Sequence, residues 1–294
     1  MNTQNSRNEP PRVLSPGDQQ FYADQGYLVK EGAIDQAWID RLNSAMARLV
    51  DGTRDMTKSD QTYDLETGHT RDTPRLRRIA YLDDLDPVFW EFCKDSPLAD
   101  LAADLLGPDL RFRECLINFK WAGGGQEVKW HQDFPFYPLT NTSVAQFLVC
   151  LNDVGPEQGP LQVVPGSHKG PFYDHYDGDG NWLGYIDDKH LDNAGLERAV
   201  DLTGPAGTVT VHHCATLHAS RANLSDLGRP VVIVTYCACD AMAYTAVSYP
   251  SSNCKKVVRG EEAKFARLEP MQMRLPPDWS DGYTSIFEHQ EEEA

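Results

Sequence analysis

The sequence contains no long apolar run. No stretch of its 294 residues approaches the roughly 18 consecutive apolar residues that a helix needs to cross a bilayer. The start of the chain, residues 1–11, is polar and proline-containing, and it lacks the apolar segment of a secretory signal. We therefore expect a disordered leader over residues 1–15, a cytoplasmic location and no membrane partner.

Positive charge is scarce. The chain has 27 Lys and Arg residues against 44 Asp and Glu residues, which gives a formal net charge of -17. Nucleic acids and anionic membrane surfaces would be repelled by such a chain. The composition therefore argues against both partners, but it does not identify the small-molecule substrate that we expect.

Motifs for disulfides and for phosphate binding are also missing. The seven cysteines are odd in number and include no C-x-x-C pair, which is typical of reduced, buried thiols. The turn Gly123–Gly125 lacks the Lys-Ser/Thr of a phosphate loop. No convincing Ser/His/Asp triad is present either, so nucleotide binding and triad hydrolysis are not expected.

The first third of the chain shows helical patterns. Asp18 is expected to cap a helix that runs to about Tyr27, and Asp35 a second helix with apolar residues at helical spacing over 38–49. Residues 54–82 show no periodicity and are expected to form a long loop. Two short helices are predicted after it, at 87–93 and 97–106.

From residue 109 the pattern changes to strands. They are predicted at 110–121, 126–133, 143–151, 159–164, 207–213 and 229–238, with a long insertion at 169–201. Many short strands between turn residues favour a sandwich or jelly roll. The expected fold class is α+β with a mainly β core. We expect one domain at 16–294, made of a mainly helical flank (16–108), a β core (109–240) and a C-terminal extension (241–294).

His131 and Asp133 stand two residues apart, so their side chains share one face of a strand. A second histidine from a distant strand would complete a 2-His-1-carboxylate set, which is typical of non-haem Fe(II) oxygenases. The candidates are His212, His213 and His218. We favour His218, because small and polar residues follow it in H-x-S-x-x-N-x-S and leave room for a co-substrate.

Arg229 begins an apolar strand eleven residues after His218. Its guanidinium can bind a carboxylate co-substrate through two parallel hydrogen bonds. A plainer explanation is a structural salt bridge to an acidic residue such as Asp226. Likewise, His131 and Asp133 taken alone would be an ordinary strand histidine and a turn aspartate.

Five segments in order give the chain a resemblance to a known family. They are FYADQGYLV at 21–29, LLGP at 105–108, GGGQEVKWHQD at 123–133, LNDVGPEQGPLQVVPGSH at 151–168, and residues 218–229. Together they resemble the phytanoyl-CoA dioxygenase (PhyH) family of Fe(II)- and 2-oxoglutarate-dependent oxygenases. The resemblance implies a double-stranded β-helix, a jelly-roll variant with flanking helices. It also implies oxidation, such as hydroxylation, of an unactivated C–H bond with O2, releasing succinate and CO2.

The resemblance also implies roles for single residues. The catalytic iron ligands would be His131, Asp133 and His218. The residues that bind 2-oxoglutarate would be Arg229, which anchors the distal carboxylate, together with Ser220, Lys120 and Gln126. Relatives that transfer halide lack the carboxylate ligand, so the presence of Asp133 favours hydroxylation or another oxidation without halide transfer.

Candidates for substrate binding are more diffuse. Phe134, Phe136 and Tyr137 follow the metal motif and would line the pocket, or else form a packed aromatic cluster. The basic run Arg75–Arg78 would meet an anionic group, or else form a solvated face. The insertion at 169–201 carries Tyr173, Tyr176, Trp182 and Tyr185, which could form a lid or an aromatic surface for a cationic or ring-bearing substrate.

Two competing functions remain at this stage. A cupin-like metalloenzyme would use the same barrel without 2-oxoglutarate, but Arg229 and the residues around His218 argue against it. A non-catalytic binding module would keep the fold alone, but an intact set of metal ligands argues against that.

Overall fold

Alternating apolar residues build two antiparallel sheets in the computed structural model, which describes residues 13–123 and 125–280. The larger sheet has the strand order β1-β9-β6-β11-β4-β3-β2, with β12 also pairing β4, and the smaller sheet has the order β5-β10-β7-β8. The strands are β1 (Tyr27–Lys30), β2 (Tyr63–Leu65), β3 (Leu76–Ile79), β4 (Leu110–Lys120), β5 (Val128–His131), β6 (Val144–Cys150), β7 (Leu161–Val163), β8 (Val200–Leu202), β9 (Val209–His213), β10 (His218–Ser220), β11 (Arg229–Ala238) and β12 (Val257–Arg259).

The larger sheet is centred on β4 and β11, which pair along their whole lengths. On β11 the side chains of Val232, Val234 and Tyr236 belong to the main hydrophobic core, whereas Val231 and Ile233 face a cavity between the two sheets. Successive side chains of a strand point to opposite faces, so one set packs into the core and the other lines the cavity. The double-stranded β-helix expected from the sequence is therefore present.

Five helices cover the outer face of the larger sheet. They are α1 (Pro16–Gln25), α2 (Gln36–Asp51), α3 (Leu82–Leu85), α4 (Pro87–Asp95) and α5 (Pro97–Leu106). Apolar residues of α2, α4 and α5, among them Leu42, Phe92 and Leu98, pack into the same core as Val232. The helices thus bury one face of the sheet and leave its other face to the cavity.

The start of α1 differs from the prediction. Ser15 rather than Asp18 is the cap, and Asp18 completes a capping box from the third helical position. The helix ends earlier than expected because Gly26 adopts a left-handed conformation with φ 75°. Tyr27 then begins β1 at the edge of the larger sheet, so the sequence prediction wrongly included it in the helix.

The loop predicted at 54–82 is wrong in part, because it contains β2 and β3, and its last residue begins α3. All four residues of β3 are buried. A strand covered on both faces shows no apolar–polar alternation, which is why the pattern missed it. The flank at 16–108 therefore contributes three strands to the larger sheet as well as its helices.

Residues 13–15, the end of the predicted leader, pack against the domain. The backbone N–H groups of Val13 and Leu14 donate to the Asp104 carboxylate at 2.8 and 2.9 Å. The rest of the leader and residues 281–294 of the predicted extension lie outside the described residues, and the division at 16–294 stays a prediction. None of the helices in the described ranges is long and apolar enough to span a membrane.

Candidate metal and co-substrate site

His131 and His218 are brought together by strand pairing. They lie opposite each other on the antiparallel neighbours β5 and β10, with ring centroids 4.0 Å apart. Asp133 follows β5 directly, and one potential ligand atom from each of the three residues lies within 4.8 Å of the other two. All three side chains are buried. The structure thus assembles the 2-His-1-carboxylate set favoured from the sequence.

Backbone carbonyls fix the orientation of both histidine rings. Nδ1 of His131 donates to the Lys129 carbonyl at 2.8 Å, and Nδ1 of His218 donates to the Thr216 carbonyl at 2.9 Å. Since a carbonyl oxygen only accepts, Nδ1 carries the proton in each ring and Nε2 keeps its lone pair. The two Nε2 atoms lie 3.8 and 3.4 Å from Oδ1 of Asp133. Two nitrogen lone pairs and one carboxylate oxygen therefore converge, as a divalent metal requires.

Asp133 is ionised in this environment. Burial alone would raise its pKa, but the adjacent His218 and the hydrogen bond from His212 lower the pKa overall. Its other oxygen, Oδ2, lies 2.8 Å from Nε2 of His212. The carboxylate thus has one oxygen towards the candidate metal ligands and one towards His212.

His213, the third histidine considered, faces away from this cluster. Its Nδ1 accepts a hydrogen bond from the backbone N–H of Ala215 at 3.1 Å, and its ring lies near Tyr22 and His168. Burial first, and then His168, lower its pKa to about 3. His213 shares strand parity with Val209 and Val211, whose side chains belong to the main hydrophobic core.

Arg229 lines the same cavity as the three candidate ligands. Its side chain is buried, burial lowers its pKa to about 10, and its Nε has no hydrogen-bond partner within 13–123 and 125–280. No described carboxylate pairs with it, so the alternative salt bridge to Asp226 is not formed. An unpaired buried guanidinium is costly, and a bound carboxylate would remove that cost. Ser220 lines the cavity beside it.

Lys120 and Gln126 are not among the residues that line this cavity. Nζ of Lys120 donates to the carbonyls of Ser220, at 3.1 Å, and Arg221. Burial, followed by the charge of Arg229, lowers the pKa of Lys120 to about 6. Lys120 therefore connects β4 to the segment that carries Ser220, and Gln126 is half-buried outside the lining.

The three aromatic residues after the metal motif have different surroundings. Phe136 and Tyr137 line the cavity. Phe134 is fully buried and stacks on Phe172 at 5.1 Å between ring centroids, so it serves packing. Both alternatives considered from the sequence therefore occur, each for different members of the group.

The basic run Arg75–Arg78 does not form a single solvated face. Arg75 pairs with Glu66 at 3.0 Å, whereas Arg78 is buried and lines the cavity. Arg78 donates from Nε to Oδ1 of Asn118 at 3.1 Å and from Nη1 to the hydroxyl of Tyr249. The cavity thus has a second positively charged group besides Arg229.

Sequence reasoning missed several polar residues of the cavity wall: Glu114, Asn118, Gln146, Ser248 and Tyr249. Glu114 accepts a hydrogen bond from Thr235 at 3.0 Å, and burial raises its pKa even though Arg113 opposes this. Glu114, Leu116 and Asn118 alternate along β4. Residues at every second position of a strand face the same side, and this spacing could have identified the three residues as one wall of the cavity.

The insertion and the C-terminal extension meet beside the cavity. The ring of Trp182 lies 5.0 Å from that of Phe136, and Nε1 of Trp279 donates to the Phe136 carbonyl at 2.9 Å. Tyr176 in turn donates to the Leu275 carbonyl at 2.8 Å. Trp182 of the insertion and Trp279 of the extension therefore cover the wall that Phe136 forms.

The model of the phytanoyl-CoA dioxygenase (PhyH) family matches residues 22–231. The chain belongs to this family. It is 30% identical to a probable alpha-ketoglutarate-dependent hypophosphite dioxygenase of Stutzerimonas stutzeri, over 92% of this chain and 96% of that protein. It is 31% identical to an L-proline trans-4-hydroxylase of Streptomyces griseoviridis, over 55% and 67% of the two chains.

Solved structures with a similar fold include two of the protein EctD. EctD from S. alaskensis with bound Fe matches with a TM-score of 0.70 at 22% identity, covering 87% of this chain and 89% of that one. The same protein with 2-oxoglutarate and 5-hydroxyectoine gives a TM-score of 0.65 at 23% identity, with 89% of each chain covered. The PhyH chain described here is a 2-oxoglutarate-dependent non-haem iron dioxygenase, which confirms the expected cofactors, Fe(II) and 2-oxoglutarate.

Proposed function

We propose that His131, Asp133 and His218 hold Fe(II), and that Arg229 with Ser220 binds the distal carboxylate of 2-oxoglutarate. The enzyme then oxidises an unactivated C–H bond of a small polar metabolite, with release of succinate and CO2. The supporting observation is the pairing of two features in one cavity: three convergent ligand atoms, and a buried arginine whose Nε has no described partner.

Each residue has a defined task in this proposal. Bound Fe(II) supplies the oxygen chemistry. His131 and His218 offer Nε2 because their Nδ1 atoms are held by carbonyls. Arg229 orients the co-substrate through its fork of N–H donors, and the aromatic wall around Phe136 keeps bulk water away.

The cavity wall supports a charged or strongly polar substrate. Arg78 and Glu114 are both buried and both line the cavity, although burial of charged groups is costly. A substrate with an anionic group would meet Arg78, and one with a hydrogen-bond donor would meet Glu114.

A second candidate function is oxidation of a P–H bond in a small phosphorus oxyanion. Two observations favour it: the nearly full-length likeness to the hypophosphite dioxygenase, and the buried cation Arg78 in the cavity. Incubation with hypophosphite and 2-oxoglutarate would yield phosphite together with succinate. If succinate forms no faster with hypophosphite than without it, the second candidate is wrong.

The proposed binding of Fe(II) and 2-oxoglutarate can be tested without knowing the primary substrate. The oxygen-free protein with Fe(II) and 2-oxoglutarate should show the weak visible charge-transfer band of a chelated keto acid. His218→Ala should lose the band, and the matched control His213→Asn should keep it. Absence of a band in the unmodified protein at saturating iron and 2-oxoglutarate would favour the cupin-like alternative.

We also propose a cytoplasmic location. The seven cysteines are free in the structure and six of them are buried. Unpaired thiols in this number fit a reducing compartment.

A further inference from the structure

His212 contacts the candidate metal cluster without belonging to it. It lies on β9 of the larger sheet, its side chain is buried, and its ring centroid is 4.2 Å from that of His218. Its Nε2 lies 2.8 Å from Oδ2 of Asp133. Burial leaves this contact shielded from water. Because a carboxylate oxygen accepts, the proton of this hydrogen bond is on Nε2.

We propose that His212 is a positioning residue that restricts Asp133 to metal binding through one oxygen. The inference rests on the proposed iron site. His212 would thus orient a ligand of the metal without being a ligand itself.

The two oxygens of Asp133 have different neighbours. Oδ1 lies 3.4 and 3.8 Å from the Nε2 atoms of His218 and His131, whereas Oδ2 is held by His212. A metal bound between the two histidine nitrogens would therefore meet Oδ1. Bidentate binding would require Oδ2 to leave His212.

The number of Asp133 oxygens that bind the metal determines how many coordination positions remain free. A facial set of three ligands leaves three positions in an octahedron, and 2-oxoglutarate and O2 together need all three. A second oxygen from Asp133 would occupy one of them. The hydrogen bond from His212 thus keeps a position open for the co-substrates.

The strand that carries His212, β9, belongs to the larger sheet, whereas Asp133 follows β5 of the smaller sheet. β9 pairs with β1 on one side and β6 on the other, with Gln146 opposite His212. Nδ1 of His212 is buried and has no hydrogen-bond partner among the residues described. The bond to Asp133 is thus the one that orients the ring, and the ring connects a strand paired on both sides to a carboxylate that lies just beyond the end of β5.

Co(II) binding tests this role independently of turnover. We would titrate full-length protein, His212→Phe and His212→Gln with Co(II) and record the visible absorption of the bound ion, which reports coordination number. Phe keeps the ring volume but cannot donate, and Gln can donate to Oδ2. His213→Asn is the control, since His213 is the neighbouring buried histidine that faces away from the cluster.

We expect His212→Phe to weaken Co(II) binding by about ten- to a hundredfold, the usual cost of losing a hydrogen bond behind a metal ligand. Its visible absorption should also shift, because a second oxygen of Asp133 would enter the coordination shell. His212→Gln should recover most of both signals, and His213→Asn should bind Co(II) normally.

Three results would overturn the inference. Unchanged affinity and absorption in His212→Phe would show that the hydrogen bond has no effect. Equal losses in the Phe and Gln variants, with equally lowered melting temperatures, would indicate packing alone. Loss of binding as complete as in His218→Ala would make His212 a ligand. If the unmodified protein binds neither Co(II) nor Fe(II), the proposed function fails as well, which distinguishes that failure from the first three.

Discussion

Replacing Arg229 is the sharpest test of co-substrate binding. The guanidinium is buried, lines the cavity, and has an Nε without a partner among the described residues. In the ligand-free protein this burial is unfavourable, and in the complex a carboxylate would accept two parallel hydrogen bonds. Arg229→Lys keeps the charge but loses the fork, and Arg229→Met keeps most of the apolar stem but loses the charge.

The expected magnitude follows from the lost hydrogen bond. A hydrogen bond to a charged group contributes about 1.5–3 kcal/mol, so Arg229→Lys should raise the KM for 2-oxoglutarate by about tenfold or more, since 1.4 kcal/mol is a factor of ten. Arg229→Met should raise it further. The KM for the primary substrate should change much less. In the absence of ligand, Arg229→Met should melt no lower than the unmodified protein, because it removes an uncompensated buried charge.

The assay combines KM values for 2-oxoglutarate with melting curves recorded with and without it. At a concentration of 100 times Kd, the unmodified protein should gain about 2.7 kcal/mol from binding, and the variants should lose most of this gain. Arg221→Lys is a suitable control, because Arg221 is exposed and pairs with Asp201 at the surface. If both Arg229 variants melt lower without ligand yet keep the normal KM for 2-oxoglutarate, Arg229 has a structural role and our reasoning is refuted.

Three further predictions concern the site and its supports. His131→Ala, Asp133→Ala and His218→Ala should each abolish succinate formation while the proteins still melt cooperatively, because these side chains serve the cavity rather than the hydrophobic core; loss of cooperative melting would contradict this. The pKa of Lys120 is lowered to about 6 from an ordinary value of 10.5, so its stability penalty is complete below pH 6 and fades as the pH rises towards 10.5. The melting temperature of Lys120→Met relative to the unmodified protein should therefore fall between pH 6.5 and 9.5, and a constant difference would count against a shifted pKa. Trp279→Ala should reduce the free energy of unfolding by about 3 kcal/mol in urea titrations, since it opens a cavity and breaks the bond to the Phe136 carbonyl; an unchanged midpoint would show that the extension contributes little.

Long elements with clear signals at their ends were predictable from the sequence. β11 was predicted at its observed bounds, 229–238, because a mostly apolar run, broken only by Thr235, follows Gly228. α5 was likewise predicted at 97–106, where a proline begins the helix and a glycine ends it. In both cases the local signals and the tertiary packing agree.

Short strands and the cavity wall were not predictable in the same way. β10 has three residues, all buried, and it becomes a strand because β5 and β7 pair with it on both sides. The roles of Glu114 and Arg78 depend on which face of β4 and β3 meets the cavity. The register between paired strands determines which face meets the cavity, and the sequence of one strand does not specify that register.

The formal charge of -17 gives no indication of the charges inside the cavity. Arg229 and Arg78 line it. Surface charges more than about 10 Å away are largely screened at ordinary ionic strength, whereas buried charges are screened much less. A dicarboxylate that enters the cavity therefore interacts chiefly with these cations, and the acidic surface opposes its approach only weakly. An acidic chain can thus bind an anionic co-substrate because its few buried cations are placed where the anion binds.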